Sequence, residues 1–273
     1  MSNIGHCYSG GEQQGSADRF SDIGGNAIVY TYPNGDYDVI CAAEKWLKPP
    51  GWEEAERSYI RTEVRPEVRQ KGKKAEGEDR LRSMRRARAK LRRLALSNSF
   101  DWFVTLTLSP EKVDRYDAAA IMKTVNRWLD NMVRRHGLRY ILVPEMHKDG
   151  AYHFHGFFAG DVQAIPSGHF DRAGHEYFNL PQWGYGFSTA VRLYGDYGAA
   201  VAYCCKYIGK QDGERPMGRW YYSGGGLAEP AKQYATLEYR ELLEQFQGEA
   251  LEFAVPGTQM LVVHHREDHK IQE

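Results

Sequence analysis

The stretch AYHFHGFF, Ala151 to Phe158, places two histidines, His153 and His155, on either side of one phenylalanine. Its apolar and aromatic character predicts a β-strand, and in a strand alternate residues project to the same face. Both imidazoles therefore stand on one side of a sheet. A single histidine in such a place is most often a core residue, whereas two at this spacing are candidate metal ligands. The run RYILVPEM (Arg139–Met146) reads as the preceding strand, with Lys148-Asp149-Gly150 as the connection. A three-residue hairpin loop ending in glycine is a common form, because glycine accepts the left-handed conformation. With that loop His147 faces Ala151 and Glu145 faces His153, so Glu145, His153 and His155 converge on one face. A two-residue Asp-Gly loop sets Glu145 opposite Phe154 instead, on the wrong face. Two neutral imidazoles and a carboxylate suit a divalent cation with open positions. His147 shares the face and is a spare candidate, although a histidine beside a turn is more often solvated.

Outward from the hairpin the pattern is regular. FVTLTL (Phe103–Leu108) reads as a strand. Asp117 to His136 is an amphipathic helix with Ile121, Val125, Trp128, Leu129 and Met132 on its apolar face, closed by Gly137. After a Gly-, Pro- and His-rich stretch (Gly160–Gly184), read as an insertion, GFSTAVRL (Gly186–Leu193) is a fourth strand. A helix capped by Asp196 then runs to about Lys210. The order βαββ, then βα, predicts an α+β fold with a mainly antiparallel sheet. The hairpin signal in AIVYTYPNGDYDVICA (Ala27–Ala42) is a candidate source of one further strand. The expected organisation is a loose N-terminus (1–25), a hairpin and basic helical segment (26–96), a core (97–215), and a C-terminal helical extension and tail (216–273).

Composition bounds the reading. The chain has 273 residues, 42% of them hydrophobic, with 36 basic and 36 acidic residues balancing to zero. That total hides a local excess. RLRSMRRARAKLRR carries eight basic residues and no acidic one: Arg80, Arg82, Arg85, Arg86, Arg88, Lys90, Arg92 and Arg93. Leu81, Met84, Leu91 and Leu94 recur at near-helical spacing beside them, so the segment reads as a basic helix suited to phosphates, or as a solvated face over an apolar stripe. No apolar run approaches the ~18 residues that span a membrane, and the first residues lack a signal-peptide pattern. Cys7, Cys41, Cys204 and Cys205 form no C-x-x-C pair and no disulfide framework. A reducing cytoplasm is the expected compartment.

The helix after the fourth strand contains YCCKYIGK. Tyr203 and Tyr207 lie four residues apart on one helical face, each followed three residues on by a lysine, Lys206 and Lys210. An aromatic pair at this spacing is usually packing; paired lysines beside the phenols point instead to chemistry on a phosphate. Thr-Leu-Thr in the first strand, His-Phe-His with an upstream glutamate, and Y-x-x-K-Y-x-x-K together resemble the ordered motifs of HUH-superfamily rolling-circle replication initiators. The doubled tyrosine resembles the initiators of small single-stranded DNA phages. The resemblance covers roughly Phe103 to Lys210. It implies an HUH endonuclease (Rep-like) fold with a central antiparallel sheet of about five strands flanked by helices. It also implies nicking and joining of single-stranded origin DNA through a 5′-phosphotyrosine, with Mg²⁺ or Mn²⁺ as cofactor. Glu145, His153 and His155 match the metal ligands, Tyr203 and Tyr207 the nucleophiles, and Lys206 and Lys210 the motif lysines; the threonines receive no role. The sequence contains no G-x-x-x-x-G-K-[ST], so a host helicase and polymerase are the implied partners. The rival readings are a relaxase or transposase of the same superfamily, a non-catalytic DNA-binding regulator, and a two-histidine-one-carboxylate iron oxygenase.

Overall fold

The computed structural model describes residues 20–21, 25–43, 76–193, 195–210, 215–255 and 258–266. The expected loose N-terminus lies outside them except at residues 20, 21 and 25, as do the helix-prone residues 52–75 and the end of the tail. In chain order the first elements are β1 (Phe20–Ser21), β2 (Ala27–Thr31), β3 (Tyr37–Ala42), α1 (Glu76–Leu96), β4 (Trp102–Thr107), α2 (Ala118–His136), β5 (Arg139–Met146) and β6 (Tyr152–Ala159). They are followed by β7 (Ile165–Phe170), β8 (Glu176–Asn179), β9 (Ser188–Arg192), α3 (Tyr197–Tyr207), β10 (Tyr222–Gly224), β11 (Ala231–Ala235), α4 (Tyr239–Gln245), β12 (Leu251–Val255) and β13 (Thr258–His265). The chain divides into two compact units, Lys73–Glu229 and Met1–Gly72 with Pro230–Glu273.

The Lys73–Glu229 unit holds a seven-stranded sheet of order β10-β5-β6-β4-β9-β8-β7, antiparallel at every pairing. Period-2 alternation decides its two faces. Trp102, Val104, Leu106, Phe154, Phe158 and Ala190 point to one side and join Ile121, Val125, Trp128, Leu129 and Met132 of α2 in one buried cluster. Asp117 caps that helix by accepting from the backbone N–H of Ala119 and Ala120. Gly137, at φ 58°, ends it in the left-handed conformation. The opposite face carries the polar residues. Glu145, His153 and Thr107 stand in one cross-strand row, and Val143, His155, Thr105 and Thr189 in the next.

The register of β5 and β6 is the one that the three-residue loop predicts. The N–H of His147 donates to Ala151 O at 2.8 Å and that of Gly150 to His147 O at 2.9 Å, with Gly150 at φ 87°. The sheet itself departs from expectation. The motif resemblance implies about five strands, and seven are present. The Gly160–Gly184 stretch is no plain loop, because β7 and β8 pair within it. Five of the six β7 residues are exposed, so the strand has no apolar alternation to betray it. The further strand beside β5 is the three-residue β10, too short for any periodicity to show. The Asn-Gly hairpin does not supply it.

That hairpin, β2 and β3, belongs to the other unit, whose six-stranded antiparallel sheet runs β1-β11-β2-β3-β13-β12. Its core joins Val29, Val39, Cys41, Leu261 and Val263 to Leu242 and Phe246. Asn26 is buried there. Its amide donates to Ala42 O and Leu237 O, and its carbonyl accepts from Leu237 N–H. The segment after residue 216, read from sequence as helix and tail, thus contributes β10 to one sheet and β11 to β13 to the other.

Gly156 follows His155 in β6, and a Cβ there would meet Ile141 O at 1.8 Å. A backbone clash in a central strand has no flexible side chain to yield. Gly156→Ala is therefore expected to lose about 2 kcal/mol or more of stability, visible as a clearly lowered midpoint of thermal unfolding.

Candidate functional site

The polar face begins with the histidines. Thr105 Oγ1 lies 3.1 Å from His155 Nδ1, and Thr107 Oγ1 lies 3.1 Å from His153 Nδ1. A hydroxyl both donates and accepts, so each threonine holds its ring in either tautomer and leaves Nε2 for another partner. His155 turns its Nε2 to Glu145 Oε2 at 2.7 Å, and His153 stacks on His147 with ring centroids 3.7 Å apart. Burial depresses both imidazoles. His153 falls to about 4, helped by neighbouring His147, and His155 falls as well. Both rings are therefore neutral near pH 7, the state that a metal ligand requires.

Glu145 is the hub. Its Oε1 accepts from Lys210 Nζ at 2.6 Å while Oε2 faces His155. Burial opposes its ionisation, but the bonds from Lys210 and His155 outweigh that and hold the carboxyl below its ordinary range. Among the described residues no group of three or more His, Cys, Asp or Glu side chains is arranged to hold a metal ion. Glu145 is engaged by Lys210 and His155, and His153 by His147, so the three expected ligands share a face without closing on one point.

α3 lies over this face. Asp196 starts it by accepting from Ala199 N–H. Tyr207 stacks on His155, with centroids 3.9 Å apart and planes 14° apart, and its hydroxyl donates to Tyr203 Oη at 2.7 Å. Burial and that hydrogen bond push the Tyr207 phenol above its ordinary value. Tyr203 packs its ring edge-on to Phe103 yet stays 49% exposed, so its oxygen is reachable. Lys206 Nζ lies 5.9 Å from the Tyr203 ring, and Lys210 Nζ 4.9 Å from that of Tyr207. The sequence predicts a helix as far as Lys210, but α3 stops at Tyr207. Gly209, at φ 80°, breaks it, and that turn brings Lys210 back onto Glu145. Cys204 and Cys205 fill the packed side of α3; burial pushes both thiols up, Cys205 to about 11, which makes them unreactive.

α1 packs against α3, and each satisfies carbonyl groups of the other. Tyr197, in the first turn of α3, directs its hydroxyl at Ala95 O (2.9 Å) and Asn98 O (3.0 Å) near the end of α1. Arg88 of α1 donates from Nε and Nη2 to Ile208 O, just past α3, at 2.9 and 2.6 Å. Arg88 is thereby committed within the fold. Arg80, Arg82, Arg85, Arg86 and Lys90 are exposed, and Arg92 and Arg93 are half-buried. Of the expected apolar stripe, Leu91 and Leu94 are buried, Met84 is partly so, and Leu81 is 46% exposed. The residues that sequence reasoning passed over are Thr105 and Thr107. Their signal was present: they share the period of the two histidines on the adjacent strand.

Residues 101–212 match the family model of the replication-associated protein ORF2. This is a phage rolling-circle replication initiator family, as the motif resemblance implies. The match begins just before β4 and ends just after Lys210, so it contains Glu145, both histidines, both tyrosines and both lysines. No curated protein and no solved structure matches the chain.

The two kinds of arginine on α1 separate in a stability measurement. Arg88→Ala removes two charge-assisted bonds to Ile208 O and is expected to cost about 1.5–3 kcal/mol. Arg85→Ala, at an exposed position, is expected to stay within about 0.5 kcal/mol of the parent. Chemical denaturation of both variants checks the contrast.

Proposed function

We propose that this chain is a rolling-circle replication initiator, which nicks and rejoins single-stranded origin DNA through a tyrosine linked to the 5′-phosphate. The observation that carries this reading is the pair of phenols, oxygen to oxygen at 2.7 Å, stacked over the histidine and carboxylate rows of the sheet. The ORF2 family match over the same residues supports it.

In this reading Glu145, His153 and His155 would hold a divalent cation, Mg²⁺ or Mn²⁺, in place of the direct Glu145–His155 bond. The donor set fits: two neutral imidazoles oriented by threonines and one ionised carboxylate. Such an ion supplies polarisation of a phosphoryl oxygen. The chain's own residues do the rest. Lys206 and Lys210 neutralise phosphate oxygens beside the phenols. Tyr203, the more exposed of the two, attacks the phosphorus in line. A P–O bond to the phenol forms, the bond to the 3′-oxygen breaks, the phenolic proton passes to solvent base, and the 3′-oxygen takes up a proton. Tyr207, which donates to Tyr203 Oη, stabilises negative charge as it develops on that oxygen. Bond energy is conserved in the phosphotyrosine, so rejoining needs no nucleotide, and the free 3′-OH serves as a primer. Tyr207 is free for a second cut while Tyr203 is occupied. The exposed basic face of α1 follows DNA phosphates. A host helicase and polymerase would supply strand opening and extension.

Incubation with candidate single-stranded origins should give a covalent protein–DNA adduct that EDTA abolishes and Mn²⁺ or Mg²⁺ restores. Peptide mapping should place the first adduct on Tyr203. Tyr203→Phe and Tyr207→Phe should each retain some nicking but join poorly on a two-origin substrate, and the double variant should form no adduct. A Tyr207→Phe protein that nicks and joins like wild type would overturn the two-tyrosine scheme. A His153→Ala protein with undiminished nicking would remove the proposed ligand set.

Replacing Arg82, Arg85 and Arg86 together by Ala should weaken DNA binding regardless of sequence and flatten its salt dependence by up to about three phosphate contacts. Titration at several salt concentrations checks this. An unchanged slope would mean that these side chains only face solvent.

A further inference from the structure

The row that holds Glu145, His153 and Thr107 extends one strand further. Thr107 N–H donates to Phe187 O at 2.8 Å, which continues the β4–β9 ladder one step beyond the Leu106–Ser188 pair. Phe187 is therefore the cross-strand partner of Thr107, and partners share a face. Its ring stands on the histidine side, two strand spacings, or about 10 Å, from the His153 strand. It is 81% exposed, the most exposed large hydrophobic side chain among the described residues.

This exposure is not the looseness of a loop tip. Gly186 approaches β4 so closely that a Cβ there would meet Thr107 O at 2.1 Å. Trp183 Nε1 also donates to Thr107 O at 3.0 Å, Ser109 N–H donates to Tyr185 O at 2.8 Å, and Lys112 Nζ donates to Gly184 O at 2.8 Å. The backbone on both sides of Phe187 is thus bound to β4 and the segment after it. A large apolar ring held in water on a pinned backbone forgoes burial that a polar residue would not miss. It is what a site for flat apolar faces presents.

We infer that Phe187 is a stacking platform for a nucleobase next to the scissile phosphate, an inference that rests on the single-strand nicking reading above. The occupant follows from the neighbours. Lys206 and Lys210 lie by the tyrosines and provide positive charge for a phosphate, while Phe187 provides a π-face at about the reach of one nucleotide from that point. Every base has such a face, so the contact holds and orients the strand without reading its sequence.

The test uses the full chain in EDTA, so that no cleavage occurs. The probe is oligodeoxythymidylate carrying one 2-aminopurine at successive positions. Wild type should quench the fluorescence when the label lies at the stacking position. Phe187→Ala should abolish that quenching and weaken binding about tenfold, whereas Phe187→Trp should preserve both. The Ala variant should melt with the parent, since the ring it loses is mostly in water. If wild type binds the probe and Phe187→Ala binds and quenches equally, the stacking assignment is wrong while the nicking reading survives. If wild type binds no single strand, both fall.

Discussion

The pairing of Glu145 with His153 across the β5–β6 hairpin is the constraint on which the site depends. A strand's side chains alternate faces, so a register shift of one residue would carry the carboxylate to the α2 side, into the cluster of Phe154 and Phe158. The loop Lys148-Asp149-Gly150 excludes that shift, because its length and the positive φ of Gly150 set which residues face each other. From that pairing the rest follows across the sheet. β4 brings Thr107 to His153 and Thr105 to His155, and β9 brings Phe187 to Thr107. One local turn therefore sets the composition of rows that run from β5 to β9.

The tyrosines reach the sheet by a different device. α3 has only eleven residues and is short of the length at which a helix is stable by itself. Its position comes from α1, through Tyr197 at one end and Arg88 at the other. The same helix thus anchors the phenols with an inward arginine and offers its outward arginines to solvent. A formally neutral chain presents a basic surface in this way, with the acidic residues placed elsewhere. Lys210 joins the two layers, because the break at Gly209 lets it turn back to Glu145 instead of continuing up the helix.

The polar face is built of groups that satisfy one another: threonine to histidine, histidine to glutamate, lysine to glutamate and phenol to phenol. Such a network has no surplus of unpaired buried charge and needs little rearrangement to exchange one partner for another. In the proposed reaction a cation would compete with Lys210 for Glu145, and a phosphate would compete with Glu145 for Lys210. The two exchanges favour each other, since each supplies the partner that the other displaces.

What the sequence determined by itself was whatever depends on short range. The histidine face, the hairpin register, the caps at Asp117, Asp196 and Gly137, the buried stripe of α2 and the ordered motifs were all legible, because period and turn length are local quantities. The tertiary structure alone decided the rest. β2 pairs with β11 from the far end of the chain, with Ala27 opposite Ala235, and no local period announces that partnership. β7 and β10 are strands only because a neighbouring edge receives their hydrogen bonds, one being exposed and the other three residues long. Arg88 is indistinguishable in sequence from its seven basic neighbours until Ile208 O lies beside it, and Thr105 and Thr107 are ordinary strand formers until the imidazoles reach them. A side chain's type and period come from its own segment, but its partner comes from wherever the fold brings the next strand or helix.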